Sequence, residues 1–250
     1  SGIYRNTALH ASFDSLGLSR YLLTEGNKEL RDIAAHVPYD ALIIMVNNKR
    51  YGGGGIYNSF CVFTAESTER NYLLLHEFGH SFTGLADEYY SSSVAYNEFY
   101  PRGIEPVEAN ITALLDPANL KWKALLSKGV ELPTKWEKAA YESFTMKYQK
   151  KRTQLNRKIA NLELAGAPEA EIDKVKNELA ILKKTNAEKT DAFLRASPLF
   201  GKVGAFEGAG YSAKGLYRPM LDCIMFTVGV KPYCKVCEAA VSRVIDYYTR

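Results

Sequence analysis

Apolar residues recur along this chain at two kinds of spacing. Leu30, Ile33, Ala34 and Val37 fall at helical intervals and end at Pro38-Tyr39-Asp40, which predicts a helix over 30–37 closed by a turn. Ala41 to Val46 is an unbroken apolar run and predicts a central strand over 40–46, buried on both faces. Phe60-Cys61-Val62-Phe63 predicts a second short strand. Thr68 to Thr83 predicts a helix, with Thr68 as N-cap and Leu73, Leu74, Phe78 and Phe82 as its apolar positions. Beyond Gly84, Tyr89 to Ser93 and the prolines at 101 and 106 predict surface loops. A long helix is expected to open at Pro133-Thr134 and run through Trp136, Phe144, Leu155 and Leu162. Ala165-Gly-Ala-Pro168 breaks it, and Ile172, Val175, Leu179 and Leu182 predict a second helix. The two are expected to pair as an antiparallel hairpin inserted at about 134–195. A C-terminal helix is expected over 238–247.

Helix and strand patterns mixed in this order predict an α/β (α+β) fold: a mixed sheet, a central helix and the inserted helical hairpin. A length of 250 residues suits one domain over 1–250. The chain is 46% hydrophobic and 24% charged, ordinary globular usage. Net charge is only +4, with much of the basic excess between Lys147 and Lys189, so nucleic acid is not an expected partner. No apolar run approaches the length of a membrane span. The chain opens on Ser1-Gly2 without a charged-then-apolar leader, and one could have been removed from an exported protein.

The candidate chemistry lies on the 68–83 helix. His76-Glu77-Phe78-Gly79-His80 is H-E-x-x-H, which places two imidazoles one turn apart on one face, the spacing of two ligands to a single zinc ion. Glu77 between them is placed to act as general base toward water. A catalytic zinc takes three protein ligands, so a third must come from elsewhere. Continuing the helix would carry Asp87 on the order of 10 Å along the axis from His80. A left-handed Gly84 would end the helix and fold the chain back, bringing in Asp87 as first choice or Glu88 as the alternative. Their bland reading is a solvated acidic turn or support for the histidines. His10 and His36 read as structural or surface residues.

The stretch His76-Glu-Phe-Gly-His80-Ser-Phe-Thr-Gly84-Leu-Ala-Asp87-Glu-Tyr89 resembles the H-E-x-G-H-x-x-x-G-L-x-D-E-Y signature of the peptidase M64 family, a group named for a bacterial IgA peptidase. Tyr217-Arg-Pro219, Cys223-Ile-Met225 and Cys234-x-x-Cys237 resemble that family's C-terminal half. The resemblance implies a metzincin-like zinc peptidase that hydrolyses peptide bonds of proteins, with a methionine turn under the metal for which Met225 is the candidate; a plain core methionine is the rival reading. The sequence departs from the metzincin pattern in a glycine one residue late and an acidic third ligand. Thr227 also stands where several metzincins carry Tyr. Any oxyanion donor besides zinc must then be another group, for which Tyr89, Tyr217 and Arg218 are candidates.

Gly52 to Gly55 admits two readings, a flexible turn or a bare edge strand that pairs with an extended peptide. Cys234-x-x-Cys237 could be half of a zinc ribbon but lacks a second Cys pair, so a separate structural zinc is not expected, and a disulfide to Cys223 is. That bond would agree with an extracellular, periplasmic or cell-surface setting. The rival functional class is a zinc-containing module that binds protein or glycan without turnover, against which Glu77 argues.

Overall fold

A computed structural model describes residues 7–18, 21–91 and 99–250. The chain divides into two compact units, 1–134 with 201–250, and 135–200. In chain order the first unit holds β1 (Ser12–Phe13), β2 (Leu22–Leu23), α1 (Asn27–Ala34), β3 (Ile43–Val46), β4 (Gly53–Ile56), β5 (Phe60–Thr64) and α2 (Arg70–Thr83). The second holds α3 (Lys138–Leu164) and α4 (Glu169–Ala196), after which β6 (Phe206–Ala209), β7 (Ser212–Arg218) and α5 (Lys235–Tyr248) return to the first. The architecture is mixed α/β, with five α-helices and small sheets among the described residues.

The central sheet has the order β3-β5-β4, β3 parallel and β4 antiparallel to β5. The run at 40–46 is therefore an outer strand, contrary to its sequence pattern, with Ile43 and Met45 exposed. The strand buried along its whole length is β5. Hydrophobicity alone marks both runs as strands, and the pairing partners decide which lies inside. Phe60 and Val62 of β5 join Leu22, Leu30 and Ile44 in a core that Phe13 and Leu23 cover. α1 contributes Leu30 and Ala34 to the interior, while Ile33 and Val37 face water. The helix ends at Ala34, short of the predicted 37.

The four glycines do not form a free turn. Gly53 to Gly55 lie in β4, paired with Phe63, Val62 and Cys61. On one face, a Cβ on Gly55 would stand 2.4 Å from the Glu77 carbonyl oxygen and 2.7 Å from the His80 Cβ. On the other, a Cβ on Gly52 would stand 2.4 Å from the Phe13 ring, and one on Gly54 2.4 Å from Leu23 Cδ2. Glycine is required because α2 lies on the backbone of β4 from one side and the β1–β2 layer lies on it from the other.

α2 begins at Arg70 without a side-chain cap, and Thr68 does not serve as one: its hydroxyl goes to the Glu69 carboxylate. The Ser67 oxygen instead accepts from the Glu69 amide at 3.2 Å. The helix predicted from Pro133 starts only at Lys138, because Thr134 is tied to β6: its amide donates to the Ala205 carbonyl at 2.8 Å, and its hydroxyl accepts from the Ala205 amide. Within the 135–200 unit, α3 and α4 carry the ion pairs Lys151–Glu178 and Lys176–Glu163, and the Tyr141, Phe144 and Phe193 rings meet in tilted and edge-on contacts.

Gly55→Ala is expected to force α2 off β4 and destabilise the fold by about 1–3 kcal/mol. Thermal denaturation checks this, at roughly 2–4 °C per kcal/mol for a domain of this size.

Candidate metal centre

α2 carries His76 and His80 to a point where the chain turns back. Gly84 closes the helix with φ 67° and ψ 34°, a left-handed conformation open to glycine without strain. Its amide donates to the His80 carbonyl at 3.0 Å, and the Leu85 amide to the Gly79 carbonyl at 3.1 Å. The reversed segment is then held residue by residue. Asn110 accepts from the Ala86 amide at 2.8 Å and donates to its carbonyl at 2.9 Å. The Asp87 carbonyl accepts from the Gly210 amide, that of Tyr89 from the Tyr211 amide, and the Glu88 amide donates to the Met225 carbonyl at 2.8 Å.

This path sets Asp87 Oδ1 2.9 Å from His76 Nε2 and 3.2 Å from His80 Nε2, with the two Nε2 atoms 3.2 Å apart. The opposite ring nitrogens are fixed by carbonyls: His76 Nδ1 donates to Ile224 O at 3.0 Å and His80 Nδ1 to Leu85 O at 2.5 Å. With Nδ1 holding the hydrogen, each Nε2 presents a lone pair. Asp87 Oδ1 is buried and its other oxygen accepts from the Tyr211 hydroxyl. Three atoms that can each offer a lone pair thus face one point, a set that fits a divalent cation.

The electrostatics agree with that fit. Burial opposes charge on Asp87, but the His80 and His76 rings hold its carboxyl well below the usual range. Burial likewise opposes an imidazolium at His80, but the Asp87 carboxylate raises it to about 9. In the metal-free chain a proton on His80 balances the site.

Glu77 faces β4, where its carboxylate lies about 3.1 Å from the position of a Cβ on Gly53. Met225 is fully buried, its sulfur 3.1 Å from the position of a Cβ on Gly79, the residue before His80. Tyr89 stacks on His76 with ring centroids 6.3 Å apart. Two candidates lie elsewhere. Arg218 is fully buried, its guanidinium 3.9 Å from the Phe226 ring centroid and donating to the Gly208 carbonyl at 2.8 Å. Tyr217 sits in β7 opposite Glu207, bonded through its backbone to Thr112. Among the described residues neither His10 nor His36 enters a metal-competent group.

Glu88, the alternative ligand, points the other way. It is fully buried in a second group with Cys223, Cys234 and Cys237. The disulfide expected there is not formed: all four cysteines are free, and Cys223 and Cys237 lie 3.8 Å apart, well beyond an S–S bond of about 2.05 Å. Burial pushes the Glu88 carboxyl and the Cys223 and Cys237 thiols upward.

The chain matches the IgA peptidase M64 family over residues 1–245 of its 250. It belongs to that family. No curated protein matches the chain. M64 membership makes the chain a metallopeptidase, with protein or peptide as its substrate class. No helix among the described residues is long and apolar enough to cross a membrane.

Sequence reasoning missed several supports of this M64 site. Tyr72 lies four residues before His76 and so on the same helical face, where its hydroxyl stands 3.4 Å from His76 Nδ1. That spacing was legible. Tyr211 and Asn110 carry no local signal, since each reaches the site only through tertiary contacts.

Tyr211→Phe is expected to free Asp87 Oδ2 and weaken metal binding about 10–100-fold, read by chelator competition. For the wild type, apparent affinity should rise with pH and level off near 9, where His80 no longer holds its proton. The dependence should be about tenfold per pH unit for one displaced proton, and titration at fixed chelator checks it.

Proposed function

We propose that this M64 peptidase is a zinc-dependent endopeptidase with a metzincin-like centre, in which His76, His80 and Asp87 hold the ion and Glu77 is the general base. The observation that carries this reading is the convergence of the two Nε2 atoms on Asp87 Oδ1, with Glu77 on the same helix. Two nitrogens and one oxygen suit zinc, and three protein ligands leave a position open for reaction. Zinc bound there supplies a Lewis acid that polarises a carbonyl and acidifies water.

The remaining work falls to the chain. Glu77 accepts the proton of the attacking water and returns it to the departing amine. The Ile224 and Leu85 carbonyls fix the tautomer of the histidines, and Tyr211 holds the Asp87 carboxylate in place. Met225 packs its sulfur against Gly79 of the same helix, and its backbone carbonyl holds Glu88 and so the segment that carries Asp87. Tyr89, against His76, is the candidate for a polar contact to the oxyanion. We do not assign that role to Arg218 or Tyr217.

β4 is the substrate platform in this reading. It is the last strand of its sheet, its outer edge is bridged at Gly53 by Tyr21 among the described residues, and Gly53 borders Glu77. An extended peptide added alongside would cross the base in the direction of the strand. The 135–200 unit is read as an antiparallel hairpin inserted into a single peptidase domain. The free thiols remove the disulfide that argued for an extracellular, periplasmic or cell-surface setting.

Glu77→Gln is expected to lower peptide cleavage roughly 10²–10⁴-fold with metal content unchanged. Mass spectrometry of a diverse peptide pool measures the cleavage, and elemental analysis the metal. Loss of metal with cleavage intact would overturn the mechanism. A wild type that holds zinc yet cuts nothing in the pool would instead favour a binding module.

A further inference from the structure

Outside the histidine centre, one buried group of side chains has the composition and spacing of a ligand set. Cys234 is the N-cap residue of α5 and Cys237 lies in its first turn, so i and i+3 spacing sets both sulfurs on one side of the helix start. Cys223 approaches from the loop after β7, where its sulfur accepts from the Cys234 amide at 3.2 Å. Glu88 comes from the segment that follows Gly84 and places Oε1 3.2 Å from Cys237 Sγ and 3.9 Å from Cys234 Sγ. Cys223 and Cys237 sulfurs are 3.8 Å apart. All four side chains are buried, Cys234 the most accessible of them at 4%.

A tetrahedral zinc with Zn–S of about 2.3 Å and Zn–O of about 2.0 Å separates its ligands by about 3.8 Å between sulfurs and about 3.5 Å between sulfur and oxygen. The Cys223–Cys237 distance equals the first value, and the two Glu88 distances bracket the second. An independent observation points the same way. Glu88 Oε2 is fully enclosed and lacks a hydrogen-bond partner among the described residues, while Oε1 is already served by Asn110 at 3.1 Å. A buried carboxylate oxygen without a donor is costly unless a cation satisfies it.

We infer that Glu88, Cys223, Cys234 and Cys237 bind a second zinc ion, a closed structural site separate from the histidine centre. Four protein ligands fill the tetrahedron, which distinguishes it from a catalytic ion with an open position. The cysteine arithmetic of the sequence counts pairs and finds only one, because the fourth ligand is a carboxylate distant in the chain. The site also has a mechanical role. Its ligands are the immediate neighbours of Asp87 and of Ile224, whose carbonyl orients His76, so the ion would pin both segments that shape the first centre.

The test uses the whole chain, purified with excess Zn²⁺ and desalted. Elemental analysis should give two zinc ions per chain, and His76→Ala/His80→Ala should retain one. Reconstituting the wild type with Co²⁺ should produce an intense sulfur-to-cobalt charge-transfer absorption in the near ultraviolet, which histidine and carboxylate ligands do not generate. The band should persist in the histidine double variant and vanish in Cys234→Ser/Cys237→Ser. If the cysteine variant does not fold, the wild-type cobalt spectrum and the histidine variant decide. One zinc per wild-type chain with none in the histidine variant, a cobalt spectrum without the sulfur band, or a disulfide joining any two of Cys223, Cys234 and Cys237 would overturn the inference. A chain that carries two zinc ions but cleaves no peptide would leave it standing and remove the endopeptidase reading instead.

Discussion

The reversal of the chain at Gly84 governs what this molecule can do. A helix that continued past Thr83 would carry both acidic residues away from the histidines, whereas a left-handed residue there sends the backbone back beneath the turn it has just left. Leu85 then meets His80 through its carbonyl, Ala86 is clamped by Asn110, Asp87 reaches the two imidazoles and Glu88 reaches the cysteines. Each residue after the turn has a separate partner, so one backbone conformation organises the whole site.

The second constraint is the closeness of α2 to the sheet. A helix usually stands off a strand by the thickness of two layers of side chains. Here the strand contributes none, and the helix backbone at Glu77 and the His80 Cβ rest on glycine. The result is a Glu77 carboxylate held directly against the strand, about 3.1 Å from the position of a Cβ on Gly53. Glycine in this strand costs conformational entropy on folding, which the packing on both faces offsets.

Much of the site was legible in the sequence because its parts are local. H-E-x-x-H on an apolar-periodic stretch specifies a helix and two ligands together, and Gly84 followed by two acids specifies a turn. The order of β3 and β5 was not legible, since both are continuous apolar runs and only the partners of β5 on two sides bury it. The start of α3 was missed because Thr134 is captured by a strand distant in sequence, which no local propensity encodes. The cysteines were read as a disulfide because sequence shows which thiols are near one another along the chain; it does not show that Glu88 shares their pocket. Arg218 is an oxyanion candidate by sequence alone, which does not show that its guanidinium is fully buried over Phe226.

The segment after Gly84 also bears on which changes of chain length the molecule can absorb. Asp87 and Glu88 are adjacent yet face different surroundings, one between imidazoles and one among thiols. Deleting a single residue between His80 and Asp87 would seat Glu88 against the histidines and Tyr89 among the sulfurs, and inserting one would seat Ala86 against the histidines and Asp87 among the sulfurs. Composition would be almost untouched and both acids would survive, yet neither pocket would receive a side chain of the right reach. These few residues are a ruler, and their number is as much a part of the site as their identity.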